Sequence, residues 1–143
     1  MYAVDFAPSG AYLVSVSGDR TAQVLDPLSG ETRHRFVTSD GLTCVSISPD
    51  SLRIAAGGLD KCLYIWDVGS GAQVCRLNGF RDSIYGVRFS PDGAYLVGIS
   101  LDKSVRVWAT RDPITYKLLR SMELHKGSRH LNRFLFTQTK VAH

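Results

Sequence analysis

The sequence repeats a set of markers at intervals of 41 and 42 residues. Three kinds of marker hold this spacing: a proline, an aspartate and a large apolar residue. They are Pro8, Pro49 and Pro91, then Asp19, Asp60 and Asp102, then Leu25, Trp66 and Trp108. Because chance rarely produces one register three times, we interpret the chain as three copies of one structural unit.

Each unit has the pattern of four short strands joined by turns. Residues 84–108 show it best, because alternating apolar residues flank the turn sequence Ser-Pro-Asp-Gly at residues 90–93. The strands predicted in this way are residues 1–6, 12–17, 21–25 and 31–37, then 42–47, 52–56, 62–66 and 72–77, then 84–89, 95–99, 104–108 and 116–122. Leu63 and Ile65 are predicted to point to one face of their strand, and Tyr64 and Trp66 to the other.

A period in the low forties, four strands per unit and a closing Trp66-Asp67 pair resemble the WD repeat. This resemblance implies an all-β fold, a partial β-propeller of three WD40 blades, each a four-stranded antiparallel sheet. The expected divisions are blade 1 at residues 1–37 (truncated at its start), blade 2 at 38–79, blade 3 at 80–124 and a basic, irregular tail at 125–143.

Three blades do not close a propeller ring, which typically has about 4–8 blades. We therefore expect an open fragment of a seven-bladed ring; half of an oligomeric ring or a poorly stable chain are the alternatives. The tail lacks the strand and turn pattern of the units. One hypothesis is that altered splicing or a frame change produced it.

Charge and composition limit the class of partner. The net charge is +4, but 13 of the 17 basic residues and all 13 acidic residues lie within residues 1–124. This balance does not favour direct DNA binding. No apolar run predicts a membrane span and no secretory signal is recognisable. Cys44, Cys62 and Cys75 are predicted to be buried, reduced thiols in a nuclear or cytosolic protein.

No residue pattern predicts catalysis, a cofactor or a metal. The three repeated aspartates lie in equivalent turns, where a carboxylate caps backbone amides, so they are not expected to converge on one substrate. The four histidines show no metal-ligand spacing. We therefore predict a protein that is not an enzyme.

WD repeats generally join the turn aspartate to a histidine, a Ser or Thr and the tryptophan by hydrogen bonds. The residues of this structural set here are Ser17, Asp19, Asp60, Trp66, Ser100, Asp102 and Trp108. The set is incomplete, because Thr38 and Phe80 occupy histidine positions, Gly58 a Ser/Thr position and Leu25 the first tryptophan position. We expect these blades to depend more on packing than on polar bonding.

The remaining candidate for function is a surface. In a propeller, the starts of the first strands and the turns between the second and third strands surround one face, where partners dock. The predicted partner-binding residues are Tyr2, Thr43, Leu59, Arg81, Asp82, Ser83, Tyr85 and Leu101. Exposed Tyr, Leu and Arg side chains suit a protein-binding site. The alternative is that they are ordinary loop residues or pack between blades.

Three stretches resemble central blades of the Tup-type (Tup/Groucho-like) general transcriptional corepressors: SGDRT at residues 17–21, AAGGLD at 55–60 and DSIY at 82–85. The resemblance implies a nuclear interaction scaffold that binds DNA-bound transcription factors, histones or deacetylases, with Tyr2 and Tyr85 foremost in contact. Its partners include the remaining blades of a longer chain, or a second copy. The alternatives are a generic WD40 adaptor in signalling or ubiquitin ligation, in nucleus or cytoplasm, and a truncated non-functional product.

Overall fold

The computed structural model describes residues 3–112 and 114–123, which form twelve β-strands. The strands are β1 (Ala3–Phe6), β2 (Leu13–Val16), β3 (Thr21–Leu25), β4 (Thr32–Val37), β5 (Leu42–Ile47), β6 (Arg53–Gly58), β7 (Leu63–Asp67), β8 (Gln73–Leu77), β9 (Ile84–Phe89), β10 (Tyr95–Ser100), β11 (Ser104–Ala109) and β12 (Lys117–Glu123). The predictions for Tyr2 and for the tail at 125–143 lie outside these residues.

The strands form three four-stranded antiparallel sheets in which strands that follow one another in sequence are neighbours. We call β1–β4 blade 1, β5–β8 blade 2 and β9–β12 blade 3. The first strand of each blade contacts the first strand of the next, so β1, β5 and β9 line the inner side of the arc. The predicted all-β architecture of three WD40-type blades is confirmed.

Two buried clusters join the blades. On β7, Tyr64 and Trp66 pack in one cluster with Val14, Val24 and other residues of blade 1. Leu63 and Ile65, fully buried on the opposite face of the same strand, pack in the other cluster with residues of blade 3. The predicted division of β7 between two apolar faces is therefore confirmed, and blade 2 is buried on both sides.

Burial of these aliphatic side chains supplies the main driving force for stacking, about 1.5–3 kcal/mol for each fully buried Val, Leu or Ile. Val97, Ile99 and Val105 form a third, smaller buried cluster within blade 3. By contrast, the outward face of blade 1 exposes Val4 and Phe6 on its first strand.

The first strands of blades 2 and 3 each contain a β-bulge at the same repeat position. The pairing of β5 with β6 shifts between Leu42 and Cys44, and that of β9 with β10 shifts between Ile84 and Gly86. Thr43 and Tyr85 are therefore the inserted residues. A bulge leaves its residue out of the ladder and redirects the side chain, which matters for both positions below.

The three cysteines are free thiols, as predicted, but only Cys44 is buried. Burial raises the pKa of the Cys44 thiol to about 12. Cys62, just before β7, and Cys75, on the outer strand β8, are half-buried. Within residues 3–112 and 114–123 there is no helix that could cross a membrane.

Candidate functional site

The candidate site is the edge of the arc formed by the turns between second and third strands and by the connections that lead into the first strands. Because the strands alternate in direction, these segments lie on one side of all the blades. We call this edge the upper rim; its described segments are residues 17–20, 38–41, 58–61, 78–83 and 100–103, together with the bulge residues Thr43 and Tyr85.

In blade 3 the turn carboxylate holds the connection that precedes the blade. Asp102 Oδ2 accepts a hydrogen bond from the backbone N–H of Arg81 at 2.8 Å, and its Oδ1 accepts one from the N–H of Ser104 at 2.8 Å. Ser100 Oγ lies 3.0 Å from the carbonyl oxygens of both Asp82 and Ser83, which share its single hydroxyl hydrogen. The backbone of residues 81–83 is thereby fixed by two side chains.

Burial tends to raise the pKa of Asp102, but the hydrogen bonds from Arg81, Ser104 and Ser100 outweigh it and lower this pKa below its ordinary value. The pKa of Asp19 in blade 1 is also lowered, chiefly because the Thr21 hydroxyl donates to its Oδ1 at 2.5 Å. Both carboxylates thus remain ionised; Asp19 bonds its own turn, and Asp102 bonds its turn and the connection before blade 3.

Blade 2 makes the equivalent bonds with different donors. Ser39, which occupies the repeat position of Arg81, donates its hydroxyl to Asp60 Oδ2 at 2.8 Å. The Tyr64 hydroxyl donates to the same oxygen. Thr38 Oγ1 donates to the carbonyl of Asp40 at 2.8 Å, which is the carbonyl equivalent to that of Asp82 in blade 3.

The structure explains why Gly58 replaces the serine found at position 100 of the next blade. A Cβ atom at position 58 would lie 2.1 Å from the carbonyl oxygen of Gly41 and 2.8 Å from Cα of Leu42. Neither contact involves a flexible side chain, so the backbone of the connection occupies the space a serine needs. Thr38 supplies the hydroxyl from the other direction.

Aromatic contacts complete each blade interface. Trp66 stacks on Phe36 of blade 1, with centroids 4.5 Å apart and planes 10° apart. Trp108 meets Phe80 edge to face at 5.8 Å, and the Arg106 guanidinium lies 5.4 Å from the centre of the Phe80 ring. A phenylalanine at the histidine position therefore forms an aromatic and cation–π contact instead of a hydrogen bond.

Polar bonding at the turns persists although residues of the usual set are missing. Asp60 and Asp102 remain bonded to the connections before their blades, although neither blade has the histidine. The repeat pattern did not predict that Ser39, Thr38 and Tyr64 act as hydrogen-bond donors. The available signal was the pair of hydroxyl residues, Thr38 and Ser39, at and after the position where the histidine is missing. The bond from the backbone amide of Arg81 could not be predicted, because every residue except proline has such an amide.

The predicted partner-binding residues are not equally available. Leu59 and Leu101, at equivalent turn positions, expose 47% and 59% of their surface. Arg81 and Asp82 are exposed and Ser83 is half-buried. Of these residues, Arg81, Asp82 and Ser83 lie on the backbone that Ser100 and Asp102 fix.

The two bulge residues differ. Tyr85 is 37% exposed, and burial raises the pKa of its phenol. Thr43 is half-buried, and its Oγ1 donates to the Ile84 carbonyl of blade 3 at 2.5 Å. The Thr43 hydroxyl therefore serves the blade interface, as the packing alternative anticipated.

The rim also contains three basic residues that the sequence analysis did not select. Arg20, Lys61 and Lys103 each follow a turn aspartate and have positive φ angles of 74°, 69° and 68°. All three are exposed. Their repeated position beside an aspartate was the signal that could have identified them.

The turn aspartates do not assemble into one site. Each turn aspartate bonds its own turn or the connection that precedes its blade, so the carboxylates do not meet at one point. Among the residues that the structure describes, no group of three or more His, Cys, Asp or Glu side chains could hold a metal ion.

Comparison with known proteins gives one family match. The sequence matches the family described as "WD domain, G-beta repeat" over residues 1–26, 30–67 and 71–109. The chain is 31% identical to nuclear distribution protein PAC1 of Coccidioides posadasii over 71% of its length, and 29% identical to transcription initiation factor TFIID subunit 5 of Caenorhabditis elegans over 76%.

The fold is similar to the solved structure of U3-55K, with a TM-score of 0.78 over 86% of the chain at 24% identity. This chain spans only part of each of these proteins: 26% of PAC1, 17% of the TFIID subunit and 39% of the U3-55K chain.

Proposed function

The chain belongs to the WD-repeat family, and we propose that it is a non-catalytic protein-interaction scaffold whose binding surface is the upper rim. The single observation that carries this proposal is the arrangement around residues 81–83 and 101. Exposed Arg81, Asp82 and Leu101 project from a backbone that Ser100 and Asp102 hold in place. Binding to such a preorganised surface costs little conformational entropy.

The composition of the rim supports a protein partner. Leu59, Leu101 and Tyr85 supply separate exposed apolar contacts, and Arg81 adds an exposed cation on the same rim. Arg81 pairs with Glu123 at 3.4 Å, but these side chains are 76% and 65% exposed. Because exposed ion pairs contribute little, Arg81 can exchange this partner for another carboxylate.

The more specific proposal is that the chain represents part of a nuclear transcriptional corepressor that contacts DNA-bound regulators and chromatin proteins. The sequence stretches that resemble Tup-type blades support it, and the likeness to a TFIID subunit supports a role in transcription. In this proposal the blade divisions at 37/38 and 79/80 separate repeats of a longer propeller, whose other blades cover Val4 and Phe6.

A second candidate is a WD40 adaptor outside transcription, in the cytoplasm. The observation that favours a role outside transcription is that nuclear distribution protein PAC1, to which the chain is similar, carries a name that does not refer to transcription. Both candidates use the same rim, so the surface can be tested before the pathway is known.

Affinity capture with matched variants tests the surface. The rim variant combines Leu59→Ser, Arg81→Glu and Leu101→Ser. The control combines Leu28→Ser and Leu52→Ser, which change residues that are 98% and 57% exposed in turns on the opposite side of the blades. Wild-type and variant chains are compared for folding and for proteins captured from nuclear and cytoplasmic extracts.

We expect the rim variant to lose the proteins that wild type and control both retain. Retention of all of them by the rim variant, or their loss from the control alone, would contradict the proposal. Capture of transcription regulators from nuclear extract would favour the corepressor. Capture of proteins from cytoplasmic extract alone would favour the adaptor.

A further inference from the structure

Arg106 on β11 lies at the interface between blades 2 and 3, close to the upper rim. Its guanidinium group lies 5.4 Å from the centre of the Phe80 ring, and a Cβ atom added at Gly79 would lie 2.8 Å from its Nη1. Both of these neighbours belong to the rim segment 78–83. Because β11 begins at Ser104, Arg106 is two residues, or about 7 Å, along the strand from that end of the blade. The guanidinium group therefore borders the rim.

The hydrogen-bond donors of Arg106 are unused. Its Nε atom is buried and has no hydrogen-bond partner among the residues that the structure describes. Its terminal nitrogens also make no hydrogen bond or ion pair to those residues. The Phe80 ring contacts the cation but supplies no oxygen acceptor. A half-buried guanidinium group with unused donors attracts an anion more strongly than an exposed one, because less water screens it.

The equivalent residues of the other two blades do have partners. Gln23 of blade 1 accepts a hydrogen bond from the Thr32 hydroxyl at 3.1 Å, and the Tyr64 hydroxyl of blade 2 donates to Asp60. Each of these bonds lies within one blade. Unused donors are therefore not a general consequence of this repeat position, and those of Arg106 require an explanation of their own.

A following blade of a longer propeller would not cover Arg106. Successive side chains of a strand point to opposite faces, so Val105 and Val107 point away from the interface that Arg106 faces. Blade 3 packs on Leu63 and Ile65, the residues of β7 that are equivalent to this valine pair. A fourth blade would pack on the two valines by the same repeat. Arg106 instead faces blade 2, so its half-buried state does not depend on where the described residues end.

The chain itself has no acidic side chain that pairs with Arg106. All 13 aspartates and glutamates lie within residues 3–112 and 114–123, and none of them forms an ion pair with it. Glu123 lies on the same face of the sheet, but it pairs with Arg81 at 3.4 Å. An acidic side chain that satisfies Arg106 must therefore come from another molecule.

We propose that a partner protein bound to the upper rim places an aspartate or glutamate side chain against Arg106. The carboxylate takes two parallel hydrogen bonds from the guanidinium group, because the planar shapes of the two groups match. Arg81 and Lys103, exposed on neighbouring rim segments, favour an acidic segment of the partner, and Leu101 offers it an apolar contact. This inference rests on the proposed function and adds the chemistry of the partner.

Selection of short random peptides displayed on phage, against the whole 143-residue chain, tests the inference. The test variants are Arg106→Gln, which removes the charge, and Arg106→Lys, which keeps the charge without the planar group. The matched control is Arg120→Gln, which changes an exposed arginine of β12 on the opposite face of the same blade. Thermal melts verify that each variant is folded, and the Lys variant serves if the Gln variant is not.

We expect the selected peptides to share an acidic residue at one position. Their affinity should fall about tenfold or more for Arg106→Gln and about threefold or more for Arg106→Lys, and stay within about twofold for Arg120→Gln. Exchanging the shared acid of the peptide for its amide should cost about tenfold on the wild-type chain but less than about threefold on Arg106→Gln. This non-additivity would not arise if Arg106 only packed against Phe80.

The outcomes separate this inference from the proposed function. Peptides that share no acidic residue, or that bind Arg106→Gln as tightly as wild type, would overturn the inference. If such peptides still need Leu59 and Leu101, the rim remains a binding surface. Peptides that need neither Arg106 nor the rim, or the absence of any selected peptide, would overturn both.

Discussion

Asp102 Oδ2 accepts a hydrogen bond from the backbone amide of Arg81 at 2.8 Å, so a turn residue fixes a residue of the rim that lies 21 positions earlier. Ser100 reinforces the same connection through the carbonyls of Asp82 and Ser83. The repeated residues Ser100 and Asp102 therefore hold the contact residues Arg81, Asp82 and Ser83 in place.

Replacing Asp102 by alanine should destabilise the chain by about 1–3 kcal/mol, because the amides of Arg81 and Ser104 lose their acceptor. Asp102→Asn keeps one oxygen and should cost less. Urea unfolding followed by fluorescence measures the difference. Asp112→Ala is the control, since that exposed carboxylate caps only its own loop. Equal losses for Asp102→Ala and the control would contradict the role of Asp102.

Gly58→Ala should be destabilising by about 1–3 kcal/mol or more, because a Cβ would lie 2.1 Å from the Gly41 carbonyl oxygen. Gly69→Ala is the matched control: no heavy atom lies within 4 Å of its added Cβ. Midpoints of urea unfolding compare the two. A Gly58→Ala chain as stable as the control would show that the connection at Gly41 moves freely.

Tyr64→Phe should cost about 1 kcal/mol, because it removes the hydroxyl that bonds Asp60 but keeps the ring stacked beside Trp66. Combining it with Ser39→Ala should cost more than either change alone, since both donate to the same oxygen. A double-mutant cycle by urea unfolding measures this. A Tyr64→Phe chain with wild-type stability would show that Ser39 alone satisfies Asp60.

The free energy of unfolding should fall at acidic pH because of Asp19 and Asp102, whose pKa values in the folded chain lie below the ordinary value of 3.8. A lowered folded pKa contributes stability that is present above pH 3.8 and is lost as the pH falls through the folded pKa. Asp102→Asn should therefore lower stability at neutral pH and flatten its decline below that value. The midpoints of urea unfolding, measured from neutral pH to below pH 3.8, test this prediction. If the stability of Asp102→Asn declines with acid as steeply as that of wild type, other groups cause the acid sensitivity.

The fold was predictable because packing and turn chemistry repeat. The alternation along β7 predicted which residues face blade 1 and blade 3, since neighbouring side chains of a strand point to opposite faces. The rim was located for the same reason, because equivalent turns lie on one edge.

The bonding around the rim was less predictable. Thr43 and Tyr85 occupy equivalent bulges, yet the shorter side chain bonds the next blade while the longer one is exposed. Likewise, Thr38 takes over a bond that Ser100 makes in the next blade. Such exchanges depend on three-dimensional proximity between connections, which a one-dimensional alignment of repeats does not contain.

Hydrogen exchange of the backbone amides, with and without a captured partner, tests most directly whether the upper rim binds protein. We expect the partner to slow exchange at residues 58–61, 81–85 and 100–103. The turns on the opposite side, at 48–52 and 90–93, should exchange as in the free chain. Protection confined to those opposite turns would contradict the assignment of the rim as the binding surface.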